Sequence, residues 1–296
     1  MNLGIFGSAN TIDGLRDQIR AAQEAGYGSF WTPQIFDLDA LTALAVIAGD
    51  VPDIRLGTAV VPTYPRHPMM LAQQALTVNQ MAQGRLDLGI GLSHQPVVER
   101  MWGISFDKPV GHMKDYLTIL GALLHEGQIS HGGEHLTSRG GIGVKAEAPP
   151  VLVAALGPLM LKVTGRLADG TITWMTGPVT VGEHTVPVIN DAAEEAGRPQ
   201  PQVVAAVPVC ITDDIAGATE MAKAAFGFYG DLPSYRAMLD REGLENSWDI
   251  AHIGSFDEVA AGLKTYDDAG ATTVVASVFG TPDDVARTID ELKVLL

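Results

Sequence analysis

Short apolar segments rich in β-branched residues alternate with longer amphipathic segments along the whole chain. Continuous apolar runs of this kind are typical of parallel strands buried on both faces, and the segments between them predict crossover helices. The predicted strands are Leu3–Gly7, Ser29–Thr32, Arg55–Val61, Leu86–Gly91, Val151–Ala155, Gly170–Trp174, Val203–Ile211 and Thr273–Phe279. The predicted helices are Thr11–Ala25, Asp37–Gly49, Pro68–Gln83, Val110–His125, Pro158–Ala168, Val181–Gly197, Asp214–Gly227, Phe256–Ala269 and Pro282–Leu295.

This alternation continues to the end of the chain without a break in composition. It favours an α/β fold in which residues 1–296 form a single domain, a closed (β/α)8 TIM barrel with insertions at the C-terminal face of the strands. The alternative is an open doubly wound sheet, which usually has only about five or six strands. The long connections Gln95–Pro109, Gln128–Ala148 and Phe228–Ile253 are the predicted insertions, where lids and substrate contacts usually lie.

The charge balance narrows the range of partners. Asp and Glu number 35 against 19 Lys and Arg, a net charge of −16, which disfavours binding to nucleic acid or to an anionic membrane surface. No apolar run approaches the about 20 residues of a membrane helix. Met1–Gly7 has no signal-peptide pattern, and the single Cys210 excludes an internal disulfide, so we expect a cytoplasmic protein.

In a barrel, the residues that follow the strands form the mouth where chemistry takes place. Here these residues are Ser8, Pro33 and Gln34, Pro62–His67, Leu92–His94, Leu156 and Gly157, and Met175–Gly177. Carboxylates are nearly absent, whereas glycosidases and two-metal hydrolases need paired acidic groups. Hydride transfer to a tightly held ring needs mainly positioning, so the mouth favours redox chemistry.

Two short motifs match the sequence patterns of known sites in part, but other residues argue against those sites. His131–His135 matches the inverted zinc motif H-x-x-E-H, but its two adjacent glycines oppose a helix, so we expect a solvated turn and no metal site. Gly89-Ile90-Gly91 lacks the third glycine and the acidic residue of a dinucleotide fingerprint, which argues against a Rossmann nicotinamide site.

Other residues at the mouth have two interpretations each. His94 is a proton donor or a hydrogen-bond partner for a cofactor ring, or else it packs a loop. The glycines of Gly157-Pro158 and Gly177-Pro178 expose helix N-terminal amides that can hold phosphate, or they form tight turns. His67 is expected to cap the helix that begins at Pro68. Trp31 and Cys210 are expected to pack in the core.

Several consecutive segments resemble the bacterial luciferase-like superfamily over nearly the whole chain. They are Ile54–Val60, Pro65–Pro68, Gln83–Gly91, Ala155–Pro158, Ala168–Gly170 and Asp267–Ala271. The run Thr58–Pro68, together with His94 after Gly91-Leu92-Ser93, most resembles the oxidoreductases that use coenzyme F420, a deazaflavin that carries hydride.

This resemblance implies a barrel with the deazaflavin in its mouth and a non-proline cis peptide, here Ala59–Val60. By the same resemblance, Ala59 and Val60 back the ring, Ser93 and His94 flank its polar edge, and Ala155, Leu156 and Gly157 contact the cofactor tail. Gly177 is a further cofactor-binding candidate because of its place before a helix. Cations such as Arg66, Lys162 or Arg166 would offset the negative field of the chain around an anionic tail. Some relatives have an Asp-His pair at Pro33-Gln34 and an acidic residue at His94, so Gln34 and His94 are the catalytic candidates here.

Three functional hypotheses follow. The first is an F420-dependent oxidoreductase that transfers hydride to or from a small organic substrate, with His94 as proton donor. The second is an FMN-dependent luciferase-like monooxygenase, in which the ring reacts with oxygen. The third is a flavin-binding barrel without turnover. Relatives with this pattern are often dimers, so a homodimer is expected.

Overall fold

Eight parallel strands close into a barrel in the computed structural model, which describes residues 1–296. The strands of the protein are β1 (Leu3–Phe6), β2 (Ser29–Thr32), β3 (Arg55–Thr58), β4 (Val61–Pro62), β5 (Leu86–Gly91), β6 (Gln128–Gly132), β7 (Thr137–Gly141), β8 (Val151–Val153), β9 (Gly170–Trp174), β10 (Gln202–Ile211), β11 (His252–Gly254) and β12 (Thr273–Val278). The ring runs β1-β2-β3-β5-β8-β9-β10-β12 and closes because β12 pairs with β1. The predicted TIM barrel is therefore confirmed.

Helices fill the connections and surround the barrel. They are α1 (Ile12–Glu24), α2 (Ala40–Ile47), α3 (Pro68–Met81), α4 (Pro109–His125), α5 (Pro158–Leu167), α6 (Pro178–Thr180), α7 (Val186–Glu195), α8 (Ile215–Phe226), α9 (Pro233–Glu242), α10 (Phe256–Asp268) and α11 (Pro282–Leu292). A π-helical turn, Val181–Thr185, joins α6 to α7. Side chains cap several N-termini, among them His67, whose Nδ1 accepts from the amide of Met69 at 3.2 Å, as predicted. None of these helices is long and apolar enough to cross a bilayer.

The core has two layers. A cluster of 52 buried residues lies between the strands and the helices. A smaller cluster fills the barrel interior and consists of Trp31, Leu152, Ile172, Val204, Ala206 and Val275. The indole of Trp31 donates to Ser29 Oγ at 2.9 Å, and a Cβ at Gly57 would lie 2.2 Å from the indole ring. Trp31 and the buried Cys210 are thus packing residues, as expected from the sequence.

The third predicted strand, Arg55–Val61, is interrupted. It divides into β3 and β4 at the cis peptide Ala59–Val60, which is present as the resemblance implied. β3 pairs with the start of β5 and β4 with its end. A Cβ at Gly89 would lie 1.9 Å from the carbonyl oxygen of Thr58, so glycine is required there for the interrupted strand to approach β5.

The predicted insertion Gln128–Ala148 contains regular structure. Its residues form the antiparallel hairpin β6–β7. His131 lies near the hairpin turn, and its Nε2 donates to Asp115 Oδ1 at 3.1 Å. The other carboxylate oxygen of Asp115 accepts from the amide of His135 at 2.8 Å. The H-x-x-E-H segment therefore forms the end of β6 and the hairpin turn, and Asp115 ties it to α4.

The predicted insertion Phe228–Ile253 contains α9 and β11. The first half of β10 pairs with β9, but its second half pairs with β11, with Val209 opposite His252 and Ile211 opposite Gly254. We call residues 212–251, between these two strands, the α8–α9 insertion. Its return strand is thus part of the barrel sheet, beside the C-terminal end of β9.

Candidate functional site

An apolar floor closes the barrel at the C-terminal ends of its strands. Five partly exposed residues pack on the interior cluster: Phe6, Ala59, Val60, Ala154 and Trp174. A Cβ at Gly91 would lie 2.7 Å from Val60 Cγ2 and 3.2 Å from Ala154 Cβ, so this glycine leaves the room that the floor needs. Flat apolar rings bind to concave, largely apolar surfaces of this kind. The structure therefore places the predicted pair Ala59 and Val60 in the floor.

The turn after β5 brings Ser93 and His94 to the rim of the mouth. Ser93 has a φ of +64°, and the carbonyl oxygen of His94 accepts from the amides of Val97 and Val98, which starts a π-helical turn. The His94 side chain is half-buried and makes no hydrogen bond to another protein group. Burial lowers the pKa of His94 below its usual value, so the imidazole is neutral at pH 7.

Aromatic rings connect the floor to His94. Trp174, at the end of β9, lies 5.9 Å from Phe6 in a stacked arrangement and 6.1 Å from Tyr229 edge-on. Tyr229 contacts Tyr235 at 4.9 Å, and the Tyr235 ring lies 6.0 Å from the His94 ring. We call Trp174, Tyr229 and Tyr235 the aromatic wall. The last two belong to the α8–α9 insertion.

The tyrosines of the wall were not predicted from the sequence, although a signal was present. Phe228, Tyr229 and Tyr235 fall within eight consecutive residues of the connection Phe228–Ile253, which was already identified as long. Aromatic side chains concentrated in an insertion at a barrel mouth indicate a binding surface, since a loop has no packing need for so many rings.

One polar atom of the wall is buried without a partner. Trp174 Nε1 has no acceptor in good geometry. Burial raises the pKa of the adjacent Tyr229 hydroxyl, and the neighbouring Trp174 partly opposes that effect. A buried donor without an acceptor costs free energy, so this N–H group is an unfavourable feature of the wall.

Gln34 is the other catalytic candidate, and both polar atoms of its side-chain amide form hydrogen bonds. Its Nε2 donates to Asp39 Oδ2 at 3.3 Å, and its Oε1 accepts from the amide of Ala40 at 3.2 Å. Asp39 also caps α2 and pairs with Arg66. Burial alone would raise the pKa of Asp39, but bonding from Thr42 and Arg66 lowers it below its usual value. Gln34 and Arg66 thus support the loop after β2.

A cavity of about 440 Å³ adjoins the N-terminus of α5. It is lined by Gly157, Pro158, Ser234, Ala237, Met238, Asp240 and Arg241. Gly157 is the N-cap of α5 and offers no side-chain cap, so the first amides of the helix stay open. Ala155 is buried at the same edge, and the carbonyl oxygen of Leu156 accepts from His184 Nε2 at 2.9 Å.

Two of the expected cations, Lys162 and Arg166, lie on α5 at different distances from this cavity. Arg166 pairs with Glu195 at 2.8 Å and lies about 12 Å along α5 from Pro158, at the far end of the helix. Lys162 is exposed without an ion pair one turn into α5. Arg241 was not predicted from the sequence; it reaches the cavity from α9 and has no carboxylate partner.

A carboxylate occupies the second predicted phosphate position, at Gly177. Glu242 Oε1 accepts from the amide of Thr180 at 2.5 Å, and its Oε2 accepts from that of Val179 at 3.3 Å. A Cβ at Gly177 would lie 2.3 Å from the Glu242 carboxyl carbon, so glycine provides the space for this contact. Glu242 stands 62 residues from Thr180, and no local pattern could reveal the pairing.

Solved structures share this architecture. An F420-dependent secondary alcohol dehydrogenase, in complex with an F420–acetone adduct, superposes with a TM-score of 0.85 at 17% identity, covering 100% of this chain and 98% of that one. The F420-dependent tetrahydromethanopterin reductase from Methanopyrus kandleri gives a TM-score of 0.82 at 22% identity, with 99% and 97% covered. These similarities show a common fold.

Sequence comparison extends the relationship. A 5,10-methylenetetrahydromethanopterin reductase of Methanolobus tindarius is 28% identical over 302 residues, covering 99% of this chain and 90% of the relative. A putative coenzyme F420-dependent oxidoreductase of Mycobacterium tuberculosis is 28% identical over 247 residues, covering 77% and 71%. The sequence profile of the luciferase-like monooxygenases matches residues 3–295. The chain therefore belongs to the luciferase-like monooxygenase family.

Proposed function

We propose that this protein is an F420-dependent oxidoreductase that transfers a hydride between the deazaflavin and a small organic substrate. The observation that carries the proposal is the partly exposed apolar floor at Ala59–Val60, bordered by neutral polar side chains. The similarity to proteins described as F420-dependent, among them the relative in M. tuberculosis and the reductase of Methanopyrus kandleri, supports the choice of cofactor.

The residues at the mouth fit such a group. Ala59 and Val60 would back the ring, and Ser93 and His94 would flank its polar edge. F420, when bound, supplies or accepts the hydride. The floor and the wall exclude water from the reacting face, which favours transfer to the substrate over side reactions.

The anionic tail is expected at the N-terminus of α5. Glu242 already satisfies the amides of Val179 and Thr180, whereas those at Gly157 are open beside Arg241. A phosphate at Gly157 would gain both the helix amides and a guanidinium group. Ala155 and Leu156 would then contact the tail, and Gly177 would border it at the Glu242 carboxylate.

His94 is the proposed proton donor. Reduction of a carbonyl group takes one hydride to carbon and one proton to oxygen, and oxidation of an alcohol reverses both transfers. Because burial lowers the pKa of His94, its neutral imidazole can take the hydroxyl proton at a ring nitrogen as an alcohol is oxidised, and in the reverse direction it returns that proton to the substrate oxygen. Gln34 would need to release Asp39 and Ala40 before it could contact substrate, so we assign it a secondary role.

The second candidate function is an FMN-dependent monooxygenase, which the family profile and the shared fold favour. FMN also combines a flat ring with a phosphate. A type II Baeyer–Villiger monooxygenase in complex with FMN, from Pseudomonas putida, superposes with a TM-score of 0.76 at 17% identity.

Equilibrium binding of each cofactor tests whether the protein uses F420 or FMN. Quenching of cofactor fluorescence is measured for F420 and FMN separately, with the purified chain. Tight binding of F420 with little binding of FMN is expected. The reverse result would move the protein to the oxygen-using class, and binding without turnover across a broad substrate panel would make it a flavin-binding barrel. The absence of binding by either cofactor would refute the proposal.

We also infer that residues 1–296 act as one domain and form a homodimer in the cytoplasm. The barrel is closed by its first and last strands, which supports one folding unit.

The surface of α3 and α2 supports the homodimer. α3 carries no Asp, Glu, Lys or Arg and exposes Met70 and Met81, and the neighbouring α2 exposes Val46. Two copies with a net charge of −16 each repel one another, so an uncharged apolar face is a favourable place for a second copy to bind. The lone Cys210 suits a reducing compartment. Light scattering measures the mass of the assembly, with twice 31.3 kDa expected.

A further inference from the structure

Two neutral hydrogen-bonding side chains face one another across the barrel mouth. His94 follows β5, and Tyr235 is carried by α9; their ring centroids are 6.0 Å apart with planes tilted by 54°. Neither side chain makes a hydrogen bond to another protein group, and neither has a fully buried polar atom without a partner. Both polar groups are thus accessible and free to bind a ligand.

The surroundings of this pair carry no compensating charge. Burial lowers the pKa of His94, and burial, with a smaller contribution from Tyr229, raises that of Tyr235. No carboxylate, ammonium or guanidinium group contributes to either shift. The nearby Arg236 is directed away, since it donates to Asp240 and to the carbonyl oxygen of Glu245. A charged ligand would lose its hydration here without gaining an ion pair.

We propose that His94 and Tyr235 together bind the oxygen atom of an uncharged substrate, so that the site selects alcohols and carbonyl compounds over carboxylates and amines. The proposal rests on the proposed function and specifies its substrate class. The Tyr235 hydroxyl donates to the substrate oxygen, while His94 Nε2 or Nδ1 donates or accepts according to its tautomer. The remaining apolar part of the substrate packs on the aromatic wall.

This arrangement makes the α8–α9 insertion the specificity element. The floor belongs to the barrel strands, whereas Tyr229 and Tyr235 come from the insertion. The edge-on contact of Tyr229 with Tyr235, at 4.9 Å, and that of Tyr229 with Trp174 hold Tyr235 in position. Tyr235 is therefore a substrate-binding residue, and Tyr229 is a positioning residue.

A pair of similar ligands tests the preference for a neutral oxygen. Acetophenone and benzoate share a phenyl ring and a carbonyl carbon, but only benzoate is charged at pH 7. Each is titrated into the purified chain, with and without F420, and binding is followed by saturation-transfer NMR of the ligand protons. Acetophenone is expected to bind at least about 10-fold more tightly, since a charged group buried without a partner is strongly disfavoured. Equal affinities, tighter benzoate binding, or no binding of either ligand would overturn the proposal.

A matched pair of variants tests the assigned residue. Tyr235→Phe removes only the hydroxyl group, and its acetophenone affinity is expected to fall by about 3- to 10-fold, the effect of one neutral hydrogen bond. Tyr229→Phe, with the same change one ring away, is expected to alter affinity by less than about 2-fold. Wild-type affinity in Tyr235→Phe, or equal losses in both variants, would remove Tyr235 from the site.

The two proposals fail in different ways. Quenching of F420 fluorescence is expected to be unchanged in both tyrosine variants, because neither hydroxyl is assigned to the cofactor. If the wild-type chain binds acetophenone with this preference but does not bind F420, the proposed function fails and the substrate site stands. If F420 binds tightly and acetophenone shows no preference over benzoate, only the substrate assignment fails.

Discussion

His112 should make the folding stability of the protein fall as the solution becomes mildly acidic. This residue of α4 is buried, stacks on Tyr64 with ring centroids 4.1 Å apart, and has its Nε2 3.2 Å from Thr63 Oγ1. Burial, and secondarily the nearby His135, lower its pKa to about 4, while Asp115 opposes them. His112 is therefore protonated at a lower pH in the folded protein than in the unfolded chain, where protonation occurs near pH 6.5.

The magnitude follows from this difference. Because the folded-state pKa is lowered, the contribution of His112 is complete above about pH 6.5 and declines as the pH falls toward 4. Each pH unit in that interval costs about 1.36 kcal/mol, so the loss is about 2 kcal/mol at pH 5 and about 3 kcal/mol at pH 4. Two kcal/mol is a substantial share of the about 5–15 kcal/mol that stabilises a typical domain.

Urea unfolding between pH 7 and pH 5 measures the effect. The wild-type chain is compared with His112→Phe, which keeps a ring against Tyr64, and with His112→Gln, which keeps a polar group near Thr63. The two variants are expected to differ in stability at pH 7. Both should nevertheless lose about 2 kcal/mol less than the wild type on going to pH 5, because neither side chain titrates. A wild-type pH dependence in both variants would refute the reasoning.

Three further predictions concern the mouth. His94→Ala should lower kcat by about 100-fold or more, as expected for a lost proton donor. The affinity for F420 should change by less than about 3-fold. Unchanged turnover in a steady-state assay would exclude that role. Arg241→Gln should weaken F420 binding by about 10-fold and leave binding of the phosphate-free deazaflavin fragment unchanged; equal effects on both ligands in quenching titrations would place the phosphate elsewhere. Gly91→Ala should cost about 1–3 kcal/mol in urea unfolding and weaken F420 binding, because the new methyl group meets Val60 at 2.7 Å. Gly121→Ala is its control, with no atom within 4 Å of the added methyl group, and a similar F420 affinity in both variants would contradict the assignment of the floor.

The sequence predicted the barrel because its signals are local and periodic. Each buried strand is a short apolar run, and helix starts such as His67-Pro68 carry their caps beside them. The third strand was predicted as continuous because its apolar pattern persists through Ala59–Val60, whereas hydrogen bonding to β5 resumes only at Val61. The β6–β7 hairpin was missed because most of its residues are polar or glycine and little of it is buried.

The chemistry of the site was less predictable, since it depends on contacts between distant parts of the chain. The position of His94 at the mouth followed from a strand end, but its proximity to Tyr235 depends on how the insertion returns over the barrel. The role of Gly177 was ambiguous for the same reason. A glycine before a helix suits a phosphate, a tight turn or the Glu242 carboxylate equally well, and only the three-dimensional structure distinguishes them.

The division of β10 between two neighbours has a consequence for how this barrel can diversify. Since β11 joins β10 through a parallel ladder at Val209–Ile211, the segment that carries Tyr229 and Tyr235 leaves the sheet and returns to it at fixed points. Its sequence can therefore change, or be exchanged with that of a relative, without altering the strands that support Ala59 and Val60. A chimaera that replaces residues 213–251 but retains Arg241, the residue assigned to the cofactor phosphate, should keep its cofactor and acquire a new substrate range. This makes the segment a natural unit of exchange in evolution and in engineering.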